Sequence, residues 1–250
     1  MRNERLRALL LERGESLDKL AEAVHVDAKT VERWITTGRI PYRKHRFDVA
    51  SFFGVDESYI WPDALGRDEV AAVSQSEVVA VWPHRWAVPR DTLGRFFGQA
   101  EREVGVLVYS GMFIAEDMGV LKLFAERARA GVQVRILLGE PDSPNVAERG
   151  ATEGIGGDAL TAKVRSSLVL FRPLLAEPGV EIRLHSTVLY NSIYRADEQL
   201  LVNTHIYGVM ANNAPVFHLR KIPGGEIAST YMDSFERVWD GATPYEGTQR

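Results

Sequence analysis

The sequence predicts two domains: an all-helical amino-terminal domain, followed by an α/β domain with a mixed sheet. Two observations predict this order. Apolar residues recur at helical spacing as far as residue 65, whereas from residue 93 onward runs rich in Val and Ile alternate with helical patterns. The chain of 250 residues, 45% of them hydrophobic, is long enough for two modest cores. We therefore expect domains at 1–65 and 76–240, a small and polar linker at 66–75, and a tail at 241–250.

The composition excludes several kinds of chemical site and several kinds of binding partner. The absence of cysteine excludes disulfides, thiolate metal sites and cysteine nucleophiles. The sequence has no His-Glu-x-x-His motif and no carboxylate cluster, so we assign no metal and no cofactor. No apolar run approaches the ~18–20 residues that span a bilayer, and we expect a cytoplasmic protein that does not contact membranes. With a net charge of −4, the whole chain is not a general polyanion binder.

Helical periodicity accounts for most of the first domain. Residues 2–13 predict an opening helix with Leu6, Leu9 and Leu10 on one face. Residues 55–61 predict a short last helix. Between them, residues 43–53 predict a longer helix, for which we expect three inward side chains: Phe47, Ala50 and Phe53.

Residues 16–41 predict two short helices joined by a tight turn at His25. Asp27 is a good N-cap for the second helix, because its carboxylate can accept a hydrogen bond from the free amide of Lys29 or Thr30. The second helix is expected to end near Gly38. Its buried side chains are predicted to be Val31, Trp34 and Ile35.

The region that follows Asp27 is locally basic. Six basic residues and one acidic residue, Glu32, lie between Lys29 and Arg46, a local charge of +5 in a chain whose total is −4. This excess predicts an anionic partner, and we expect that partner to be the DNA backbone.

Residues 1 to about 65 resemble the helix-turn-helix of the lambda-repressor-like (XRE) regulators. The match includes Leu20-Ala21, Val24 and Val26, and the run from Thr30 to Trp34, with His25 in place of the usual turn glycine. His tolerates a left-handed backbone better than most residues. The resemblance implies that the domain binds double-stranded DNA. It implies base-edge contacts from Ala28, Lys29 and Arg33, and we assign phosphate contacts to Thr30, Thr36, Arg39, Arg43 and Lys44.

In the second domain, strands and helices alternate before a strand-rich end. Strands are predicted at 104–109, 132–138, 180–184, 188–194, 199–204 and 216–221, and helices at 93–100, 116–130, 158–175 and 227–239. A loop rich in Pro and Gly is expected at 139–157. His84 and Arg85, near the entry to the domain, could line a pocket or lie at the surface.

Residues from about 76 to 239 resemble one half of the phospholipase D fold. Three segments match: VGVLVYSGMFIAED, ARAGVQVRILLGEPDS and VEIRLHSTVLYNSIYRADEQLLVNTHIYG. Catalysis in that superfamily requires a His-x-Lys-x-x-x-x-Asp motif. Counting from His185, the lysine position holds Thr187, the aspartate position holds Ser192, and the nearest acid is Asp197. The resemblance therefore implies the fold without the phosphodiesterase chemistry, and we expect the protein not to be an enzyme.

Candidate ligand-binding residues lie around the degenerate motif. His185 is either a vestigial phosphate ligand or a strand-end histidine that bonds a backbone carbonyl. Asp197, Asn203 and His205 are grouped with it as candidates for binding a phosphate-bearing effector, such as a nucleotide. Arg135 and Arg195 could supply the positive charge that the missing lysine does not.

These features predict a homodimeric, sequence-specific DNA-binding transcriptional regulator. Helix-turn-helix proteins bind half-sites as dimers, and single-motif members of the phospholipase D superfamily generally pair. One alternative is a DNA-targeted phosphodiesterase or nuclease that uses His185 from each subunit. Another is a second domain that serves only for dimerisation and protein docking.

Overall fold

The computed structural model describes residues 2–62, 64 and 73–247. Most of the linker predicted at 66–75 therefore lies outside the described residues, although residues 73–77 are helical. The chain divides into two compact units: residues 1–76 with 222–225, and residues 77–221 with 226–250. We call them unit 1 and unit 2 and describe each by itself.

Unit 1 is all-helical, as the sequence predicts. Its core combines leucines of the first two helices with aromatic and aliphatic residues of the later ones, among them Trp34, Phe53 and Trp61. Asn3 is the N-cap of the first helix, and its side chain accepts a hydrogen bond from the amide of Leu6. The helices are α1 (Glu4–Arg13), α2 (Leu17–Ala23), α3 (Ala28–Thr36), α4 (Arg43–Phe53) and α5 (Glu57–Ile60).

The turn between α2 and α3 is built as expected. The carboxylate of Asp27 accepts a hydrogen bond from the amide of Lys29 at 2.8 Å, which confirms the predicted N-cap. His25 adopts a left-handed backbone with φ of 55°. The three side chains predicted to be inward on α3, Val31, Trp34 and Ile35, are buried.

The inward face of α4 differs from the prediction at one position. Phe47 is 58% exposed, and Arg46 lies inward instead. The guanidinium of Arg46 donates to the carboxylate of Glu57 and to the carbonyl of Pro41, the latter at 3.0 Å. Helical spacing alone favoured the aromatic residue. The ion pair allows the neighbouring arginine to be buried because it satisfies the charge.

Unit 2 is an α/β domain around one eight-stranded sheet. Its strands are β1 (Val78–Trp82), β2 (Glu103–Leu107), β3 (Gln133–Gly139), β4 (Val180–His185), β5 (Asn191–Ala196), β6 (Gln199–Thr204), β7 (Val216–Arg220) and β8 (Thr243–Pro244). Its helices are α6 (Arg90–Gly98), α7 (Met112–Ala115), α8 (Met118–Arg129), α9 (Pro144–Thr152), α10 (Gly157–Phe171) and α11 (Ile227–Gly241), with 3-10 turns at Arg85–Ala87, Arg172–Ala176 and Ala211–Asn213.

The sheet is mixed, which confirms the predicted fold class. Its strand order is β1-β7-β6-β5-β2-β3-β4-β8. Strands β2, β3 and β4 are parallel to one another, and the remaining pairs are antiparallel. A Cβ atom at Gly105 of β2 would lie 2.9 Å from the ring of Phe235, so this glycine allows α11 to pack closely on the sheet.

Several segments of unit 2 differ from the prediction, among them β1, which was not predicted as a strand. The loop expected at 139–157 contains the helix α9, which begins at Pro144 after the N-cap Ser143. Proline indicated a loop, but it is also favoured at the first position of a helix, where its missing N–H is not needed. The tail expected after residue 240 includes β8, which pairs antiparallel with β4.

Candidate functional site

A basic surface of unit 1 is formed by side chains of α3, α4 and the loop that joins them. Lys29 and Arg33 are exposed on α3, and Arg39, Arg43 and Lys44 are exposed beyond it. None of these five side chains forms a salt bridge with an acidic residue in the part of the chain that the structure describes. The sixth basic residue, Arg46, is buried and paired with Glu57. The five unpaired cations are therefore available to an external anion.

Three of the arginines line one groove of about 630 Å³. Arg33 comes from α3, Arg39 from the loop and Arg43 from α4. The aromatic rings of Trp34 and Tyr42 contribute to the same groove, and Tyr42 is 83% exposed. An extended anion that follows the groove would meet positive charge from all three segments.

Three other predicted DNA contacts are less open. Ala28 is half-buried and packs against the core of unit 1. Thr30 is half-buried at the edge of the groove. Thr36 is exposed, but its hydroxyl donates to the carbonyl of Glu32 at 2.8 Å, which leaves only its oxygen lone pairs for a partner.

In unit 2, His185 is enclosed. It ends β4, is 2% exposed, and its Nε2 lies 3.0 Å from the carbonyl oxygen of Val108. Since a carbonyl only accepts, Nε2 donates, and Nδ1 accepts from the amide of Thr187 at 3.3 Å. Burial lowers the pKa of His185, although the hydrogen bond to Val108 acts in the opposite direction. Of the two interpretations of this residue, the structure shows the strand-end histidine that bonds a backbone carbonyl.

Asp197 does not lie near His185. It occupies the turn between β5 and β6 at φ of 50°, and its carboxylate accepts from the amides of Glu101, Arg102 and Glu103 at 2.8 to 2.9 Å. Burial alone would raise the pKa of Asp197, but these hydrogen bonds lower it.

The register places Asp197 and His185 at opposite ends of the parallel strands: Asp197 lies where β2 begins, and His185 lies where β4 ends. Glu103, which bonds Asp197, pairs with Gln133 at the start of β3, whereas His185 pairs with Gly139 at its end. Grouping Asp197 with His185 is therefore wrong, because the hairpin turn carries the acid to the end at which β2 begins.

Asn203 is fully buried, and its side-chain amide forms hydrogen bonds to backbone carbonyls. Its Nδ2 lies 3.2 Å from the carbonyl oxygens of Ala214 and Pro215, so it fixes the segment that leads into β7. The sequence grouped Asn203 with the ligand candidates, but it does not line the cavity of unit 2 described below.

His205 belongs to a polar network with partners at both ring nitrogens. Nδ1 donates to the carbonyl of Leu189 at 3.1 Å, so Nε2 accepts from the hydroxyl of Ser192 at 3.0 Å. The ring stacks on Tyr109 with 5.7 Å between centroids, and the Tyr109 hydroxyl accepts from the amide of Leu189. Burial, followed by the charge of Arg149, lowers the pKa of His205 to about 4. His205 is therefore neutral at pH 7.

A cavity of about 380 Å³ lies beside this network, where β2 ends and β5 begins. We call it the unit 2 cavity. The sequence indicated only two of its polar residues as candidates, His205 and Arg85, and for Arg85 it favoured a surface position over a pocket. It gave no sign of the rest, because they come from segments far apart in the chain. Its polar and charged lining side chains are Arg85, Tyr109, Ser110, Glu116, Glu153, Lys163, Ser192, Tyr194, His205 and Asn212.

Arg135 and Arg195 do not supply free positive charge. Both pair with the carboxylates of Glu103 and Glu236; Arg195 Nη1 lies 2.7 Å from Glu236 and 3.1 Å from Glu103. The hydrogen bond from Arg135 is the main cause that lowers the pKa of Glu236. The two arginines and two glutamates therefore neutralise one another.

The described residues contain no group of three or more His, Asp or Glu placed to hold a metal ion. In the same part of the chain, no helix is both long and apolar enough to cross a bilayer.

No protein-family model matches the sequence, and no curated protein does either. Solved structures are similar to it, and two of them are TrmBL2 and Nuc. TrmBL2, an archaeal chromatin protein with a novel mode of DNA binding, is 16% identical with a TM-score of 0.43, and the match covers 69% of this chain. The chain spans 56% of the length of TrmBL2. Nuc, a phospholipase D family member from Salmonella typhimurium, is 13% identical with a TM-score of 0.38; the match covers 62% of this chain and 90% of Nuc.

Proposed function

We propose that the protein is a homodimeric, sequence-specific DNA-binding transcriptional regulator. Unit 1 binds DNA, and unit 2 joins two copies and binds a small phosphate-bearing effector. The observation on which this depends is the set of five exposed, unpaired basic side chains around α3 and its groove.

The division of labour among these side chains follows from their positions. Lys29 and Arg33 are four residues apart on α3, so they lie on one face of a helix that is preceded by a tight turn. A helix in that arrangement fits the major groove of DNA, where an arginine can donate two hydrogen bonds to guanine O6 and N7. Arg39, Arg43 and Lys44 lie beyond the helix and suit phosphate oxygens, which fix the register without selecting a sequence.

The proposal of a dimer has its own physical argument. Helix-turn-helix proteins gain affinity by occupying two half-sites about one turn (~34 Å) apart as dimers. A symmetric DNA site requires a symmetric protein, and unit 2 is the larger body from which a twofold contact could be made.

We also propose that unit 2 is not a phosphodiesterase. A nucleophilic histidine needs an unshared nitrogen lone pair that faces the substrate. In His185, Nε2 donates to Val108 and the lone pair of Nδ1 accepts from Thr187. This favours the regulator over the alternative of a nuclease that uses His185 from each subunit.

The test compares Arg33→Ala with Arg43→Ala in genome-wide binding and in anisotropy titrations of a bound promoter fragment. Arg33→Ala should weaken binding to the specific site by ~1–3 kcal/mol and reduce discrimination against unrelated sequence. Arg43→Ala should weaken both sequences about equally and reduce the slope of log affinity against log salt by about one.

Arg13→Ala is the matched control. Arg13 is an exposed arginine in the last turn of α1, outside the proposed contact surface, so its loss should leave binding unchanged. Site-specific peaks that persist in folded Arg33→Ala protein would contradict the proposed function.

A further inference from the structure

The unit 2 cavity is bounded by short segments from distant parts of the chain. The 3-10 turn Arg85–Ala87 contacts the 3-10 turn Ala211–Asn213, and both contribute lining residues. Lys163 on α10 lines the cavity as well. Its volume of about 380 Å³ is near the lower end of the ~300–1,000 Å³ that is typical of ligand pockets. It therefore suits a small molecule.

Positive charge exceeds negative charge around this cavity. Lys163 is exposed and has no acidic partner among the described residues, and the guanidinium of Arg85 lies 4.0 Å from the ring centroid of Phe113. Of the two lining glutamates, Glu153 is paired with Arg149 at 2.6 Å, which leaves Glu116. Because two cations face one uncompensated carboxylate, the cavity favours an anion.

Asn212 adds a requirement for a hydrogen-bond donor. Its Oδ1 is buried and accepts no hydrogen bond from the described residues. A buried acceptor without a partner is unfavourable, so a ligand that donates a hydrogen bond to it gains affinity. Neither Ser192 nor His205 donates to this oxygen. The hydroxyl of Ser192 donates to His205, and Nδ1 of His205 donates to the carbonyl of Leu189.

From these observations we propose that the unit 2 cavity binds a small organic anion that also carries an N–H or O–H donor. The anionic group faces Arg85 and Lys163, and the donor bonds Oδ1 of Asn212. The inference rests on the proposed function, in which unit 2 binds an effector, and it moves the effector site from His185 to this cavity. The rings of Phe113 and Trp86 line the same cavity and suit a planar group between the anion and the donor. A nucleoside monophosphate combines all three features.

The test measures binding of adenosine 5′-monophosphate to the full chain by calorimetry, with inorganic phosphate and adenosine as separate probes. We expect the monophosphate to bind at least tenfold more tightly than either part, because each part meets only some of these groups. Lys163→Ala and Asn212→Leu should each weaken it about tenfold. Asn212→Leu should not lower thermal stability, since it removes an unpartnered oxygen.

Lys122→Ala is the matched control, because Lys122 is an exposed lysine of α8 that pairs with Glu126 and does not line the cavity. If Asn212→Leu fails to fold, Asn212→Asp serves in its place and should abolish binding by adding a negative charge.

The inference is overturned if the monophosphate does not bind, if phosphate alone binds as tightly, or if the cavity variants bind like the wild type. DNA affinity is measured on the same proteins. Intact DNA binding without nucleotide binding removes only this inference. If the wild-type protein binds the nucleotide but does not bind DNA specifically, the proposed function is wrong and the cavity assignment stands.

Discussion

His205 shows how burial fixes the charge of a single side chain. Its Nδ1 donates to Leu189 and its Nε2 accepts from Ser192, so the neutral ring has a partner at each nitrogen. Protonation at Nε2 would break the bond that Ser192 donates and would place a charge inside unit 2, near Arg149. Burial of this neutral ring therefore makes the folded protein less stable at acidic pH.

The pH dependence of stability should follow from this. The pKa of His205 is about 4 in the folded protein and near its ordinary 6.5 in the unfolded chain, so the unfolded state binds more protons between those values. The stability it contributes is complete above pH 6.5 and is lost as pH falls toward 4. Between about pH 7 and pH 4, wild type should lose ~3 kcal/mol more than His205→Gln, as measured by urea unfolding of unit 2.

His84→Gln is the control for this experiment, since it replaces an exposed histidine that lies outside the His205 network. Equal acid sensitivity of the wild type and His205→Gln would show that the ring is not held neutral.

At the scale of elements, the cap of α3 links stability to DNA recognition. Asp27 accepts the amide of Lys29, a bond that fixes the start of the helix on which Lys29 and Arg33 lie. Asp27→Ala should destabilise α3 by ~1 kcal/mol, measured by hydrogen exchange of its amides. Asp56→Ala is the matched control, because Asp56 is the N-cap of α5 but its side chain makes no cap hydrogen bond. Equal effects of the two variants would rule out the cap as the cause.

A second cap joins distant parts of unit 2. Glu77, which is fully buried, accepts from the amides of Ile227 and Ala228 at 3.0 and 2.9 Å and so fixes the start of α11 beside β1. Glu77→Ala leaves the amides of Ile227 and Ala228 without this partner and should lower the stability of unit 2 by ~1–3 kcal/mol in urea unfolding. Glu226→Ala should change little, since Glu226 is exposed and caps the same helix without a side-chain bond. A stable Glu77→Ala protein would contradict this account.

At the scale of the whole molecule, the proposed dimer predicts both a mass and a spacing. Sedimentation at micromolar concentration should give about twice the chain mass of 28.0 kDa. On an operator with two half-sites, inserting about half a helical turn (~5 bp) should abolish high-affinity binding, and a full turn should restore much of it. A monomeric mass, or affinity that does not depend on spacing, would oppose the dimer.

Much of the fold was predictable because its signals are local. The periodicity of α3 identified its buried face, and the side chain of Asp27 acts on an amide two residues away. Six of the eight strands of unit 2, β2 to β7, were predicted because runs of β-branched residues depend only on the neighbouring sequence. The inward arginine of α4 was missed because its partner, Glu57, lies in another helix.

By itself, the sequence determined the helical unit, the mixed α/β unit, and the basic surface around α3. Only the tertiary structure decided which polar residues meet. The order of the strands takes Asp197 to one end of the parallel strands and encloses His185 at the other, while Arg85, Lys163 and Asn212 come to one cavity from segments far apart in the chain. The physical reason is that local propensity fixes the elements, whereas hydrogen-bonded register and side-chain packing fix which of their ends lie together.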